Sequence, residues 1–306
     1  MKYFFSYILY LVIRVIGLLP LRVLYIFSDL IYLLVFHILK YRKKVVFENL
    51  RNSFPQKTDE EIKIVAKKFY RHLCDLFFET MYQTGMDEEE IRHRVKYKNP
   101  EIIDEYYRKG KHIAAVMGHY NNWEWMCGFP LISRYKCITI YRQLKDKVFD
   151  KLMFDMRSRF GAELVPMKMS IRKIFEYNQT GQPTITAFIS DQAPPREKAL
   201  FWIDFLNQDT PVYLGPQQIA KKLDMAVVFF KMKKIKRGYY EFEFVPLFDN
   251  ASQTDGNEIT IAHVRELEKL ITEQPQYWLW SHRRWKVRRD DPIKRLATKT
   301  DENIIF

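Results

Sequence analysis

Cysteine is scarce in this chain: three residues in 306, Cys74, Cys127 and Cys137, with no C-x-x-C spacing. An odd count so dispersed argues against a disulfide framework or a structural zinc site and fits a reducing compartment. Glycine is scarce too, at ten, which excludes a collagenous or glycine-rich chain. Acidic residues number 37 against 50 Lys and Arg, leaving a formal charge of +13. That excess points to an anionic partner: nucleic acid, an acidic lipid surface or an acidic carrier protein. A mean hydropathy of −0.32 excludes a polytopic membrane protein. The 47% hydrophobic and 16% aromatic content excludes disorder, because enough apolar area exists to offset chain entropy. The length suits one large domain or two small ones.

Uninterrupted apolar runs of full membrane-spanning length are missing as well. Residues 3–13 carry no charge, Arg14 interrupts, and VIGLLPL continues to Leu21. After Arg22 the run VLYIFSDLIYLLVFHIL holds only Asp29 and His37, and Lys40, Arg42, Lys43 and Lys44 follow at once. A spanning helix needs about 20 mostly apolar residues, and each half is marginal by that measure. No A-x-A-like cleavage site accompanies the run. The pattern predicts a retained membrane anchor over residues 1–40, either one tilted span or a monotopic hairpin. The basic cluster would lie on the cytoplasmic side and residues 41–306 would form the domain it carries. A buried helix pair of a soluble domain is the competing reading.

After residue 45 there is no internal repeat, low-complexity tract or Pro/Gly-rich linker. Thr58 and Glu61 have capping-box spacing and open an amphipathic helix over 58–84. Strand-like segments follow at 112–118, 137–142, 184–190, 226–232 and 239–247, rich in β-branched and aromatic residues. Helical patterns separate them near 146–160, 168–179 and 214–224, with another near 257–273. This alternation predicts an α/β fold with a mostly parallel central sheet flanked by helices. Residues 239–247, reached through a short KRG turn, are the expected antiparallel exception.

The sharpest chemical feature is MGHYNNWEW at 117–125. His119 follows an apolar strand, where an α/β sheet places its ligand crevice. Its imidazole can take a proton near neutral pH. Glu124, five residues on, stands where a helix should begin. A carboxylate there would fix the imidazole tautomer, and the first helical N–H groups would hold an oxyanion. A capping histidine with a glutamate favoured by the helix dipole is the structural alternative.

HYNNWE resembles the H-x4-D/E box of the lysophospholipid acyltransferase superfamily, and more closely the HxxNWE form of the late lipid A acyltransferases. The resemblance runs in consistent order over roughly residues 40–290. It takes in ENLRNSFP (48–55), GKHIAAVMGH, YRQLKDKVFDKLMFDMRSRFG (141–161), ISDQ (189–192) and PQYWLWSHRRWK (275–286). Two departures stand out. Asp204-Phe205-Leu206-Asn207 occupies the place of Phe-Phe-Gly, in a segment (193–215) expected to shape the acceptor or acyl pocket. The box itself lacks the usual glycine, so Asn121 or Asn122 must make the turn in left-handed geometry.

The resemblance implies a glycerol-3-phosphate acyltransferase-like sheet behind an apolar helical anchor, in the cytoplasmic (inner) membrane of a bacterium with the catalytic domain facing the cytoplasm. It implies transfer of a fatty acyl chain from an acyl carrier protein or coenzyme A thioester to a hydroxyl of a lipid A precursor. His119 would be the base, Glu124 its orienting carboxylate, and neither a metal nor a resident cofactor would be needed. Arg142 and one of Arg157 or Arg159 would grip phosphate oxygens of acceptor or donor. Asp191 and Gln192 would lie on the same crevice, Asp191 pairing with an arginine or positioning the acceptor hydroxyl. His282, Arg283 and Arg284 are expected to be structural, and His112 and His263 to have no role. Basic patches at 231–237 and 283–289 would meet an anionic lipid or the carrier protein. Nucleic acid is not an expected partner, since no helix-turn-helix, zinc-finger or RNP-like pattern occurs. Another phospholipid or glycolipid acceptor, or a non-catalytic anionic-lipid-binding protein, are the alternatives.

Overall fold

A computed structural model of the protein describes residues 2–291, so the carboxyl-terminal limit of the expected 41–306 domain lies outside the described residues. A seven-stranded sheet forms the centre: β1 (Val95–Tyr97), β2 (Ile113–Met117), β3 (Lys136–Tyr141), β4 (Glu163–Pro166), β5 (Thr184–Ile189), then β8 (Ala226–Lys236) and β9 (Tyr239–Phe248). The remaining two strands, β6 (Phe201–Phe205) and β7 (Gln208–Val212), pair with each other outside it. Sheet order is β1-β9-β8-β2-β5-β3-β4. Its pairings are parallel except β8 with β9, the hairpin expected to be antiparallel. Gly238, at φ +75°, closes that hairpin, with Tyr25 Oη only 2.5 Å from where a Cβ would stand.

Both faces of the sheet are covered, which is why β2 is apolar throughout. Ile113, Ala115 and Met117 turn to one side and pack with Leu24, Phe78, Trp125 and Phe129. Ala114 and Val116 turn to the other and meet Phe69, Leu267 and Trp278. The period of two along a strand divides one apolar run between two cores. The helices are α1 (Lys2–Ile16), α2 (Leu21–Leu33, extended by a π-helical turn to Ile38), α3 (Lys43–Ser53), α4 (Asp59–Gln83), α5 (Glu88–Arg94) and α6 (Glu101–Arg108). After them come α7 (Lys147–Ser158), α8 (Ser170–Gln179), α9 (Gly215–Lys222) and α10 (Glu258–Glu273). The expected capping box opens α4: Glu61 N–H donates to Thr58 Oγ1, and Thr58 N–H donates to Glu61 Oε2.

Helix α2 lies along α4. Leu21, Leu24, Tyr32 and Phe36 are buried, while Val23, Ile26, Phe27, Leu30, Leu33 and Leu34 on its other side are exposed. The seam is polar in part: Ser28 Oγ donates to Asp75 at 2.8 Å, Tyr25 Oη to Glu79 at 2.6 Å, and Arg237 bridges Asp29 and Asp75. Gly17 permits the close approach of the α1–α2 turn to α4, since an added Cβ would stand 2.6 Å from Met81 O.

The two expected basic faces are partly engaged within the fold, while Lys236, Arg283, Lys286 and Arg288 stay exposed. Lys234 pairs with Asp75, Lys233 with Glu243 and Arg237 with two aspartates. Arg289 pairs with Asp209, and Arg284 is 2% exposed. Spacing along a strand or loop shows a run of charge but not the carboxylates that distant elements bring to it.

Candidate active site

His119 and Asp191 are neighbours because of strand register. β2 and β5 are adjacent and parallel with Met117 opposite Ile189, so two residues beyond each strand the chain reaches His119 and Asp191. The distance from His119 Nδ1 to Asp191 Oδ1 is 2.6 Å, and the His119 backbone N–H donates to Oδ2 at 2.9 Å. Trp278, from the carboxyl-terminal motif, adds an Nε1–H bond to the same Oδ2 at 2.8 Å. Gly118 makes room: a Cβ there would lie 2.7 Å from Leu267 Cδ1 and 3.2 Å from Asp191 Oδ2. Gly118→Ala is expected to cost about 1–3 kcal/mol by overpacking and to push Asp191 off the imidazole. A lowered melting temperature together with weakened transfer would show it.

Asp191 is buried, and burial alone would raise its pKa. The His119 charge and the hydrogen bonds from His119 and Trp278 outweigh that and hold the carboxyl far below the usual range. An ionised carboxylate only accepts, so Nδ1 carries a proton, and in the neutral ring Nε2 presents its lone pair. For His119 burial disfavours the imidazolium. The charge and hydrogen bond of Asp191, with a smaller contribution from Glu124, overcome this and raise its pKa. The imidazole side chain is 18% exposed, Nε2 lies 3.4 Å from Gln192 Nε2, and the Trp123 ring meets it edge-on.

Glu124 does not take the position expected of it. Asp191 occupies the Nδ1 side of the imidazole, while Glu124 binds Arg157 through two hydrogen bonds, Nε to Oε2 at 2.8 Å and Nη2 to Oε1 at 2.5 Å. Trp123 Nε1 also donates to Glu124. The cause lies in the turn. Asn121 takes the left-handed conformation (φ +55°), as one of the two asparagines had to, and the chain enters a 3-10 segment over Trp123–Leu131 instead of an α-helix. The expected α-helical N-terminus behind the base is therefore not formed.

The other expected residues divide. Arg157 reaches the site by way of Glu124. Arg159 turns away and donates to Thr84 O at the end of α4. Arg142 follows β3 at the carboxyl edge of the sheet and is exposed there. Gln192 touches His119. His282 and Arg283 stay in the carboxyl-terminal motif, which Asn49 holds by donating to Trp280 O and His282 O. The two motifs at 48–55 and 275–286 thus meet, although 231 residues separate Asn49 from Trp280.

Several site features escaped the sequence. Trp278 was legible only as part of a motif. Glu79, fully buried, accepts from Asn122 Nδ2 at 2.7 Å and from Tyr240 and Tyr25, tying the box to α4 and α2. Behind Asp191 a cavity with room for about one water-sized molecule is lined by His263, Thr260, Phe205 and Arg284 among others. Burial lowers His263 to about 4 and Arg284 to about 10. His112, which bonds Thr184, is remote from this chemistry. Within residues 193–215, Phe201–Val212 fold as the β6–β7 hairpin, with Leu206 and Asn207 both at positive φ. That pattern suits a tight two-residue turn and explains how Asn207 replaces a glycine there. Among the described residues no cluster of His, Cys, Asp and Glu could hold a metal ion.

An imidazole backed by a buried carboxylate, at the carboxyl edge of a mostly parallel sheet, is the equipment of an enzyme that activates a hydroxyl or water. The chain belongs to the bacterial lipid A biosynthesis acyltransferase family, whose pattern matches residues 1–287. It is accordingly an acyltransferase acting on lipid A. No curated protein matches the chain.

Proposed function

We propose that the protein moves a fatty acyl chain from a carrier-protein or coenzyme A thioester to a hydroxyl of a lipid A precursor, with His119 as general base. The observation that carries this reading is the His119–Asp191 pair. Asp191 fixes the Nδ1–H tautomer, so Nε2 takes the acceptor proton as the hydroxyl oxygen attacks the thioester carbonyl. Arg157 Nη1 and the Gln192 amide are the donors suited to the oxyanion. When the tetrahedral species collapses, the C–S bond breaks and the imidazolium returns its proton to the thiolate. Atoms and charge balance without a covalent enzyme intermediate. Glu124 holds Arg157, and Arg142 meets phosphate oxygens of a substrate at the sheet edge.

The enzyme works at the surface of the bacterial inner membrane, with its catalytic crevice on the cytoplasmic side. Leu21–Ile38 is long and apolar enough to cross a membrane, but its polar seam with α4 favours a monotopic arrangement. In that arrangement the exposed apolar sides of α1 and α2 enter one leaflet.

Transfer from labelled acyl carrier protein and acyl-coenzyme A to a lipid A precursor and to lysophospholipids tests the reading. Wild-type transfer to the precursor, lost in His119→Ala, is the expected result. Transfer to another lipid alone would move the acceptor and keep the base. Liposome binding with no transfer to any acceptor would favour a lipid-binding protein. Because the His119 pKa is raised and the base must be neutral, the acid limb of kcat/KM should lie above the ordinary histidine value of about 6.5.

A further inference from the structure

The carboxyl edge of the sheet that bears His119 also carries a cleft that the chemistry above does not use. Strand order β2-β5-β3 puts the exit of β3 two strands from that of β2, about 10 Å away, on the same carboxyl edge as His119. There the β3–α7 connection and the first turns of α7 enclose an open cleft of about 590 Å³. Its walls combine apolar and charged groups: Leu144 and Phe154 with Lys145, Lys147 and Lys151, beside Asp150 and Asp155. Leu144 is 48% and Phe154 38% exposed. Lys151 pairs with Asp155 within its own helix, whereas Lys145 and Lys147 have no carboxylate partner among the described residues. Exposed Met167, Lys168 and Met169 leave β4 at the same edge.

Continuity decides what this surface meets. Helix α1 packs on α7, with Ser6 Oγ donating to Asp146 at 2.6 Å. The helix that packs on the α7 end of the cleft carries the exposed apolar residues Phe5, Ile8, Leu9 and Val12. Exposed apolar groups interleaved with lysines, next to a larger apolar surface, match the boundary between acyl chains and anionic headgroups. We propose that the β3–α7 cleft is a second membrane-contacting element, seated on an anionic lipid surface, through which the acceptor passes sideways from the bilayer to His119. This rests on the membrane-surface reading above and adds to it the route of entry.

The three native cysteines are buried, so Leu144→Cys can be labelled alone with an environment-sensitive dye. On phosphatidylcholine vesicles containing phosphatidylglycerol the full-length protein should show a blue shift and a severalfold rise in emission. A quencher carried on the upper acyl chain should reduce that emission, and the response should weaken without phosphatidylglycerol. Ile261→Cys, an exposed site on α10, should stay water-like. In parallel, Leu144→Glu with Phe154→Glu should raise KM severalfold for acceptor in vesicles, with kcat kept and little change for acceptor in detergent micelles. A water-like dye at 144, or an equal response at 261, overturns the proposal. So does a dye that answers acyl carrier protein alone, which would make the cleft a protein dock. The dye reads contact without turnover, so a failed transfer assay and a failed entry route remain distinguishable.

Discussion

Asp191→Asn is expected to lower kcat by about 10³–10⁴-fold while leaving the fold and substrate affinity largely intact, by analogy with loss of the orienting aspartate in serine-protease triads. The amide can donate where the carboxylate could only accept. Nδ1 then becomes the acceptor, the proton moves to Nε2, and the nitrogen facing the substrate loses its lone pair. Steady-state kinetics beside a thermal melt would separate this from unfolding. Glu124→Gln should differ in kind. It leaves the His119–Asp191 bond in place, but it removes a charge that helps raise the His119 pKa and one member of the pair that positions Arg157. Its acid limb should therefore move to lower pH, whereas an Asp191-like collapse of kcat with an unmoved limb would count against the present assignment.

Removing residues 1–40 should abolish the folded protein rather than release a soluble enzyme. Leu21, Leu24, Tyr32 and Phe36 are at most 5% exposed, and burying such side chains is worth about 1.5–3 kcal/mol each. Together they approach the whole stability of an ordinary domain, about 5–15 kcal/mol. The truncation would also strip Asp75 of Ser28 and Glu79 of Tyr25, leaving buried carboxylates with fewer partners. Size-exclusion chromatography and calorimetry should find aggregate and no cooperative transition. A monodisperse, active 41–306 fragment would mean that α2 is a tether and nothing more.

The central strands were legible because a doubly covered parallel strand is apolar along its length, as in Ile113–Met117, and the hairpin was legible from its KRG turn. Short β1 and β4 and the β6–β7 hairpin were not. Three or four residues carry little periodicity, and a tight turn built on Leu206 and Asn207 lacks the glycine that would announce it. His119 could be singled out from HYNNWE as the proposed base, but the carboxylate beside it was expected to be Glu124, five positions away along the chain. The true neighbour stands 72 residues off. Proximity along the chain says little once a turn such as that at Asn121 redirects the backbone. Register between two strands decides the matter, and register is a property of the assembled sheet. The same limit hid the carboxylates that pair with Lys233, Lys234, Arg237 and Arg289 in the basic runs.

That register has a consequence for how such an enzyme can change. Side chains within β2 and β5 can vary in size and be absorbed by the two cores, but a single inserted or deleted residue in either strand would put His119 and Asp191 out of phase and on opposite faces. Length variation leaves the register intact in the β3–α7 connection, which lies outside the ladder and away from the pair. Exchanging that connection between relatives should thus change what meets the sheet edge and leave the His119–Asp191 pair unaltered, so that the two can be inherited as separate parts.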